Sequence, residues 1–303
     1  MVTNEDNYIR FDWAMKRLLR NKANYVVLEG FLSSLLGKKF KIHRFLESES
    51  NQEDEDDKYN RVDILAESEN EQLCIIEVQN SREQTYFHRM LYGVSKAITE
   101  YIGLGKPYEA VRKVYSINIV YFELGQGKDY VYHGKTEFVG EHEPHDTLKL
   151  SIRQNEKFFG IKDDKLELRK SPGDLFPEYY ILRVNDFDKV ATTPLDEWIE
   201  FLKTGSISSK ATAAGLPEAR ERLRVDSLSQ KDKQAYFRHL EAVRHMKSLF
   251  DTSRDEGYQD GLTEGRIEGR AEGRVEGRAE GRAEGKKEKT KEIALKLLAL
   301  NTP

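Results

Sequence analysis

Two short β-rich runs, residues 61–66 and 72–79, flank a polar segment at 67–71, and this spacing favours an antiparallel hairpin. If the chain turns around Asn70, Asp63 and Glu77 stand directly opposite each other, because both are equidistant from it. Opposed residues point to the same face of a sheet. Alternation along the second run then puts Leu73, Ile75, Glu77 and Gln79 on one face and Cys74, Ile76 and Val78 on the other. A carboxylate at the end of so apolar a strand needs compensation, which a metal ion or a salt bridge supplies. The Val78 carbonyl, between two polar side chains, is a further oxygen for a cation. Read on these residues alone, Asp63 and Glu77 fit equally well as ordinary polar residues rimming a half-exposed sheet.

The surroundings of the hairpin set the fold class. Phe11, Met15, Leu18 and Leu19 repeat at helical spacing, and Asn21 and Asn24 punctuate the chain beyond them. Leu28, Phe31, Leu32 and Leu35 mark a second helix, and Gly37 offers it a left-handed stop. Glu29 lies at the edge of that apolar stripe, placed to reach across a sheet the helix packs on. Residues 84–102 set Phe87, Leu91, Val94, Ile98 and Tyr101 on one helical face, ending near Gly103, and 114–122 read as a buried strand. Helix, hairpin, helix, strand is the order of an α/β sandwich. This core is expected over residues 1–125. A β-rich extension of the same body is expected at 126–190, with short strands at 130–133, 147–152 and 179–184. A helical region is expected at 191–252 and a tail at 253–303.

The tail holds the one internal repeat. Glycine recurs every four residues from Gly257 to Gly285, mostly in Glu-Gly-Arg-apolar units. On a lone helix each charge meets its own kind at i+4, and every glycine costs about 1 kcal/mol relative to alanine. Two or more tails can instead set Glu rows against Arg rows, and a repeat longer than 3.6 residues favours right-handed winding. Self-association through residues 257–300 is therefore expected, the other reading being a fraying low-complexity tail.

Charge narrows the function classes. A net charge of -4 does not suit a protein that coats DNA indiscriminately. Residues 1–45 nevertheless hold nine basic side chains against four acidic ones, and 47–57 are almost wholly acidic and polar. Solvated surface explains both runs adequately. The lone Cys74 excludes a disulfide framework and a cysteine-based zinc site, and suits a reducing cytoplasm. With no leader-like start and no apolar run near the ~18–20 residues that cross a bilayer, a cytoplasmic protein without membrane contact is expected.

Four stretches taken in order resemble a known family. They are Phe11-Asp12-Trp13-Ala14-Met15-Lys16, Leu28-Glu29-Gly30-Phe31-Leu32, Lys58-Tyr59-Asn60-Arg61-Val62-Asp63-Ile64 and Ile75-Ile76-Glu77-Val78-Gln79. Together they resemble the PD-(D/E)XK nuclease family transposases, related to the recombination-promoting nucleases of bacteria, and the likeness continues through Phe87-His88-Arg89-Met90-Leu91-Tyr92. The resemblance implies a restriction-endonuclease-like core, a mixed sheet flanked by helices. It implies a DNA endonuclease of the transposase or recombination-promoting type that uses Mg²⁺ or Mn²⁺, with Asp63, Glu77 and the Val78 carbonyl as metal ligands. Gln79 stands where the wider superfamily has a lysine. It can orient water or phosphate but cannot supply positive charge, so slow turnover is expected. Glu29 is the candidate helix-borne acid. Arg61, Arg82 and Arg89 are candidates for phosphate contact, with surface or packing roles as the alternative. Two other readings stay open: a weakly active or inactive DNA-binding assembly protein that keeps the fold, and a defence or toxin nuclease acting on RNA.

Other suggestive stretches carry less. His142 and His145 lie in a Pro-containing polar loop that fixes no ligand geometry. Gly125-Gln126-Gly127-Lys128 lacks phosphate-loop spacing and reads as a turn, and no Ser, His and acid arrangement is visible.

Overall fold

The computed structural model describes residues 8–19, 21–46, 63–101, 107–161 and 170–300. The acidic run at 47–57, the 58–62 part of the third stretch with Arg61, and Gly103 lie outside the described residues. The chain divides into two compact units, Met1–His239 and Leu240–Pro303.

The first unit is built on one six-stranded mixed sheet. Its strands are β1 (Ile42–Leu46), β2 (Ile64–Ser68), β3 (Leu73–Gln79), β4 (Val114–Val120), β5 (Val131–Gly134) and β6 (Glu178–Arg183), in the spatial order β1-β2-β3-β4-β6-β5. β1, β2 and β3 are antiparallel, β3, β4 and β6 run parallel, and β5 returns antiparallel on β6. Ile64 pairs with Ile76 and Ala66 with Cys74, so the hairpin is centred on Asn70. The turn is tight enough that Glu71 takes a left-handed backbone, φ 57°. β1 is not among the strands that the sequence pattern announces. Its alternation is masked by His43 and Arg44, which leave only Ile42 buried.

Helices cover both faces of the sheet. α3 (Tyr86–Tyr101) lies on the face of Leu73 and Ile75, where Val94 and Ala97 pack with Leu65 and Val114. Tyr86 and Met90 continue this core with Val120 and Leu124. The stripe read from the sequence holds at Val94, Ile98 and Tyr101, which pack against this core, and is one residue late at Phe87 and Leu91. Phe87 and Leu91 are exposed, while Tyr86, Met90, Val94 and Ala97 take the buried face. The misphasing is confined to the first turns of α3, where choosing between neighbouring phases needs the sheet that the helix meets.

The opposite face belongs to α1 (Phe11–Arg17), α2 (Tyr25–Leu36), α5 (Pro194–Thr204) and α6 (Leu216–Arg222). Phe11, Phe31, Trp198 and Phe201 meet there edge to face, with centroids 5.4 to 6.3 Å apart. At the two ends of β4 this layer reaches the sheet through polar contacts. Lys38 donates to the Tyr115 hydroxyl at 2.7 Å, and the Tyr121 hydroxyl donates to the Leu202 carbonyl at 2.9 Å. α2 ends on Gly37, φ 63°, as the glycine suggested. Within α2, Gly30 touches the backbone of the loop before α6, and a Cβ there would fall 2.1 Å from the Ala214 carbonyl oxygen.

Residues 147–152 do not form the expected strand. Thr147 makes one isolated bridge to Val139, and Ser151 then caps α4 (Ile152–Phe159) through a reciprocal pair with Gln154. A side chain that satisfies the first helical amides outcompetes an apolar alternation this short. α7 (Gln230–Leu300) contains the whole repeat, and Tyr236 near its start is buried against the first unit's own residues Trp13 and Tyr8. Among the described residues, no helix is long and apolar enough to cross a membrane.

Candidate functional site

The hairpin register that pairs Ile64 with Ile76 puts Asp63, the residue before β2, across from Glu77. Asp63 Oδ2 accepts the Val78 amide at 2.8 Å, which ties the two strands together at their open end. A strand residue sends its N–H and C=O to the same side. The Val78 carbonyl therefore also points toward the Asp63 edge, away from β4.

Glu77 sits on the α3 face and is buried, with 7% of its surface exposed. α3 approaches it with two side chains. The Tyr86 hydroxyl lies 3.4 Å from Glu77 Oε2 and 3.2 Å from Asn118 Oδ1, and its single proton can serve only one of them at a time. Asn118 pairs with Glu77 across β3 and β4. Its amide donates to Ser116 Oγ at 3.0 Å and to the Tyr180 carbonyl at 3.3 Å, which fixes its oxygen toward Tyr86. Arg89 Nε is 3.7 Å from Glu77 Oε2, too far for a hydrogen bond, while another guanidinium nitrogen holds Glu83 at 3.1 Å. Arg89 Nε is buried and has no hydrogen-bond acceptor among the described residues.

Compensation of Glu77 is thus incomplete. Burial pushes its carboxyl up to about 7, with Asp63 and Glu83 pushing the same way and Arg89 and Tyr86 opposing. An acid whose folded pKa lies above its unfolded value destabilises the fold once it ionises, so stability falls as pH rises between about 4.5 and 7. We expect Glu77→Gln to melt above the parent at pH 8 without metal and close to it at pH 5. Mg²⁺ should raise the parent's melting temperature at pH 8 and leave the variant unchanged. Parallel melting curves for the two proteins across this range would refute the electrostatic account of Glu77.

The donor set suits a hard cation that keeps part of its water shell: two carboxylates, a carbonyl and the Gln79 amide at the same strand end. Among the described residues, no group of three His, Cys, Asp or Glu assembles to hold a metal ion. Glu29 is not brought to this pair. It lies on α2, on the other side of the sheet, where it accepts the Ile42 amide at 3.0 Å and forms an ion pair with Lys41. Ile42 pairs with Ser68, so Glu29 serves the turn end of the hairpin. Helical periodicity places Glu29 beside the apolar stripe but does not say which face of the sheet α2 covers. Arg82 is exposed, and His142 and His145 are exposed in their loop.

Three features escape sequence reasoning. Tyr86 is hidden by the phase of α3. Asn118 is detectable, with Ser116, as a polar residue inside the apolar run of β4. The third is a buried polar cluster at the same end of β3, just past Gln79. Asp12 Oδ2 accepts Asn80 Nδ2 at 3.1 Å and lies 3.2 Å from His239 Nε2, and Arg10 bonds both Asp12 and Asn80. Burial alone would raise the Asp12 carboxyl. The hydrogen bond to His239, with Arg10 and Asn80, outweighs it and holds the acid well below the usual carboxylate range. An acid among the apolar residues Phe11, Trp13, Ala14 and Met15 that open α1 is the available signal.

Comparison with known proteins adds one finding. Residues 9–158 match the family model described as PD-(D/E)XK nuclease family transposase. No curated protein and no solved structure matches the chain. The matched segment runs from α1 through β5 into α4 and takes in Asp63, Glu77, Tyr86 and Asn118. The mixed sheet with helices on both faces agrees with the α/β fold of that family.

Proposed function

Because residues 9–158 belong to the PD-(D/E)XK nuclease family transposases, we propose that the chain is a divalent-metal-dependent DNA endonuclease acting from the open end of the β2–β3 hairpin. The observation that carries this reading is the facing pair Asp63 and Glu77, one carboxylate anchored and the other buried without full compensation. Asp63, Glu77 and the Val78 carbonyl would hold Mg²⁺ or Mn²⁺. When bound, such an ion supplies an acidified water and a counter-charge for the phosphodiester.

The chain's own residues do the rest. The hydrogen bond from Val78 fixes Asp63, and Tyr86, itself aligned by Asn118, limits the rotation of Glu77. Gln79 orients water or a phosphate oxygen by hydrogen bonds and brings no charge, so turnover is slow. Supercoiled plasmid should be nicked with Mg²⁺ or Mn²⁺ and remain intact with chelator. Intact plasmid with both ions would overturn the endonuclease and favour an inactive DNA-binding assembly protein, while digestion of RNA at the same rate would point to a less selective nuclease.

We further propose that the protein self-associates through residues 257–300. The supporting observation is that every described side chain from 244 to 296 is exposed on a continuous helix. Such a helix gains nothing from burial in a single chain, and helices in proteins draw most of their stability from packing.

A further inference from the structure

The charge rows of the repeat carry one more step. In an α-helix each residue turns 100°, so positions four apart advance 40° together and form a slowly winding row. Four rows result, about a quarter turn apart. One is glycine from Gly257 to Gly285, and the next holds Arg266, Arg270, Arg274, Arg278 and Arg282. The third is uncharged, with Ile267, Ala271, Val275, Ala279 and Ala283, and the fourth holds Glu264, Glu268, Glu272, Glu276, Glu280 and Glu284. Glu and Arg therefore occupy opposite flanks, and the two uncharged rows lie between them.

Two identical helices related by a two-fold axis present the same row to each other. With the axis along the helices, the arrangement is parallel, and the Arg flank of one helix meets the Glu flank of the other on both sides of the seam. With the axis across them, the arrangement is antiparallel, and Arg meets Arg on one side and Glu meets Glu on the other. The result is the same whether the glycine row or the alanine-rich row faces inward. We propose that this surface binds a second copy of the same chain in a parallel, in-register, two-helix arrangement. This rests on the self-association proposed above and is independent of the nuclease assignment.

The winding agrees with the pairing. A row that advances 40° per repeat closes a turn in nine repeats, roughly 54 Å of helix, and a four-residue repeat sets a right-handed wrap. So short a pitch requires close axes. Among the described residues, and apart from the helix's own backbone, no group comes within 4 Å of where a Cβ on any glycine of the row would lie. The alanine-rich row is bulkier at Ile267 and Val275, so the glycine row admits the closer approach.

The orientation can be read from spin-label distances on the full-length protein. Cys74 is fully buried, so a label can be directed to Ala283→Cys. A parallel pair holds the two labels within about 30 Å, the width of two adjoining helices with their label arms. An antiparallel pair centred on Ala271 separates them by more than about 35 Å and brings Ala283→Cys close to Gln259→Cys on the other copy. Light scattering should give a dimer that weakens as salt rises. Changing the five arginines of the row to glutamate should weaken dimerisation at least tenfold, and mixing with a chain whose six row glutamates are arginine should restore pairing. Long 283–283 distances in a dimer overturn the orientation alone. A trimer overturns the two-fold argument, and a monomer overturns both this proposal and self-association.

Discussion

Gly30→Ala should unfold the first unit or leave it severely destabilised, by more than about 3 kcal/mol on the scale of forced core expansion. The added Cβ would fall 2.1 Å from the Ala214 carbonyl oxygen, 2.4 Å from its carbon and 2.5 Å from the Gly215 nitrogen. All three atoms are backbone, so no side chain can swing aside. Gly215 returns the contact with φ 84° and its own Cβ position 2.8 Å from the Val27 carbonyl oxygen. Trp198 Nε1 donates to the Ala214 oxygen at 3.1 Å, which holds that loop against the aromatic layer. Gly37→Ala is the control. It has open space around it and a left-handed φ, so it should cost only about 1 to 2 kcal/mol. Urea unfolding of the three proteins separates the two effects. Equal midpoints for Gly30→Ala and the parent would mean that α2 and the α6 loop do not touch as described.

The second large effect concerns the carboxylates. Asp63→Ala and Glu77→Ala should each lower Mg²⁺-dependent nicking by more than about a hundredfold, since removing groups that merely orient metal ligands already costs up to about that much. The two substitutions should differ in stability. Glu77→Ala removes an under-compensated buried acid, whereas Asp63→Ala leaves the Val78 amide without its side-chain acceptor at the hairpin's open end. Single-turnover nicking rates beside melting curves distinguish lost chemistry from lost fold. If both variants cut at the parent's rate, the metal-ligand assignment fails, whatever the melting curves show.

The hairpin and its facing acids are legible in the sequence because strand periodicity and an Asn-centred turn are local facts. Asp63 and Glu77 need only seven residues on each side of Asn70 to be paired. Glu29 and Tyr86 depend on something else, namely which side of the sheet a helix covers and which of two adjoining stripes it buries. Neither is encoded within the helix. Glu29 lies next to Leu28 in the apolar pattern, yet α2 packs on the face away from Glu77. Phe87 looks like core because it is large and apolar, but its neighbour Tyr86 has both the ring for the pocket and a hydroxyl for Asn118. The Asp12 cluster joins residues 10, 12, 80 and 239, a distance along the chain that no local pattern spans.

α7 is one hydrogen-bonded helix held in two different ways. Its first turns are fastened by Tyr236, whose ring is buried and whose hydroxyl meets Tyr8 and Arg10. Among the described residues, the glycine-bearing turns have little beyond their own backbone bonds and the Thr263 hydroxyl on the Gln259 carbonyl to resist opening. Opening free energies span from near zero in unsupported segments to the full stability of the core. A solvent proton therefore keeps time differently along this helix: it enters slowly near Tyr236 and rapidly among the glycines, until another surface covers them.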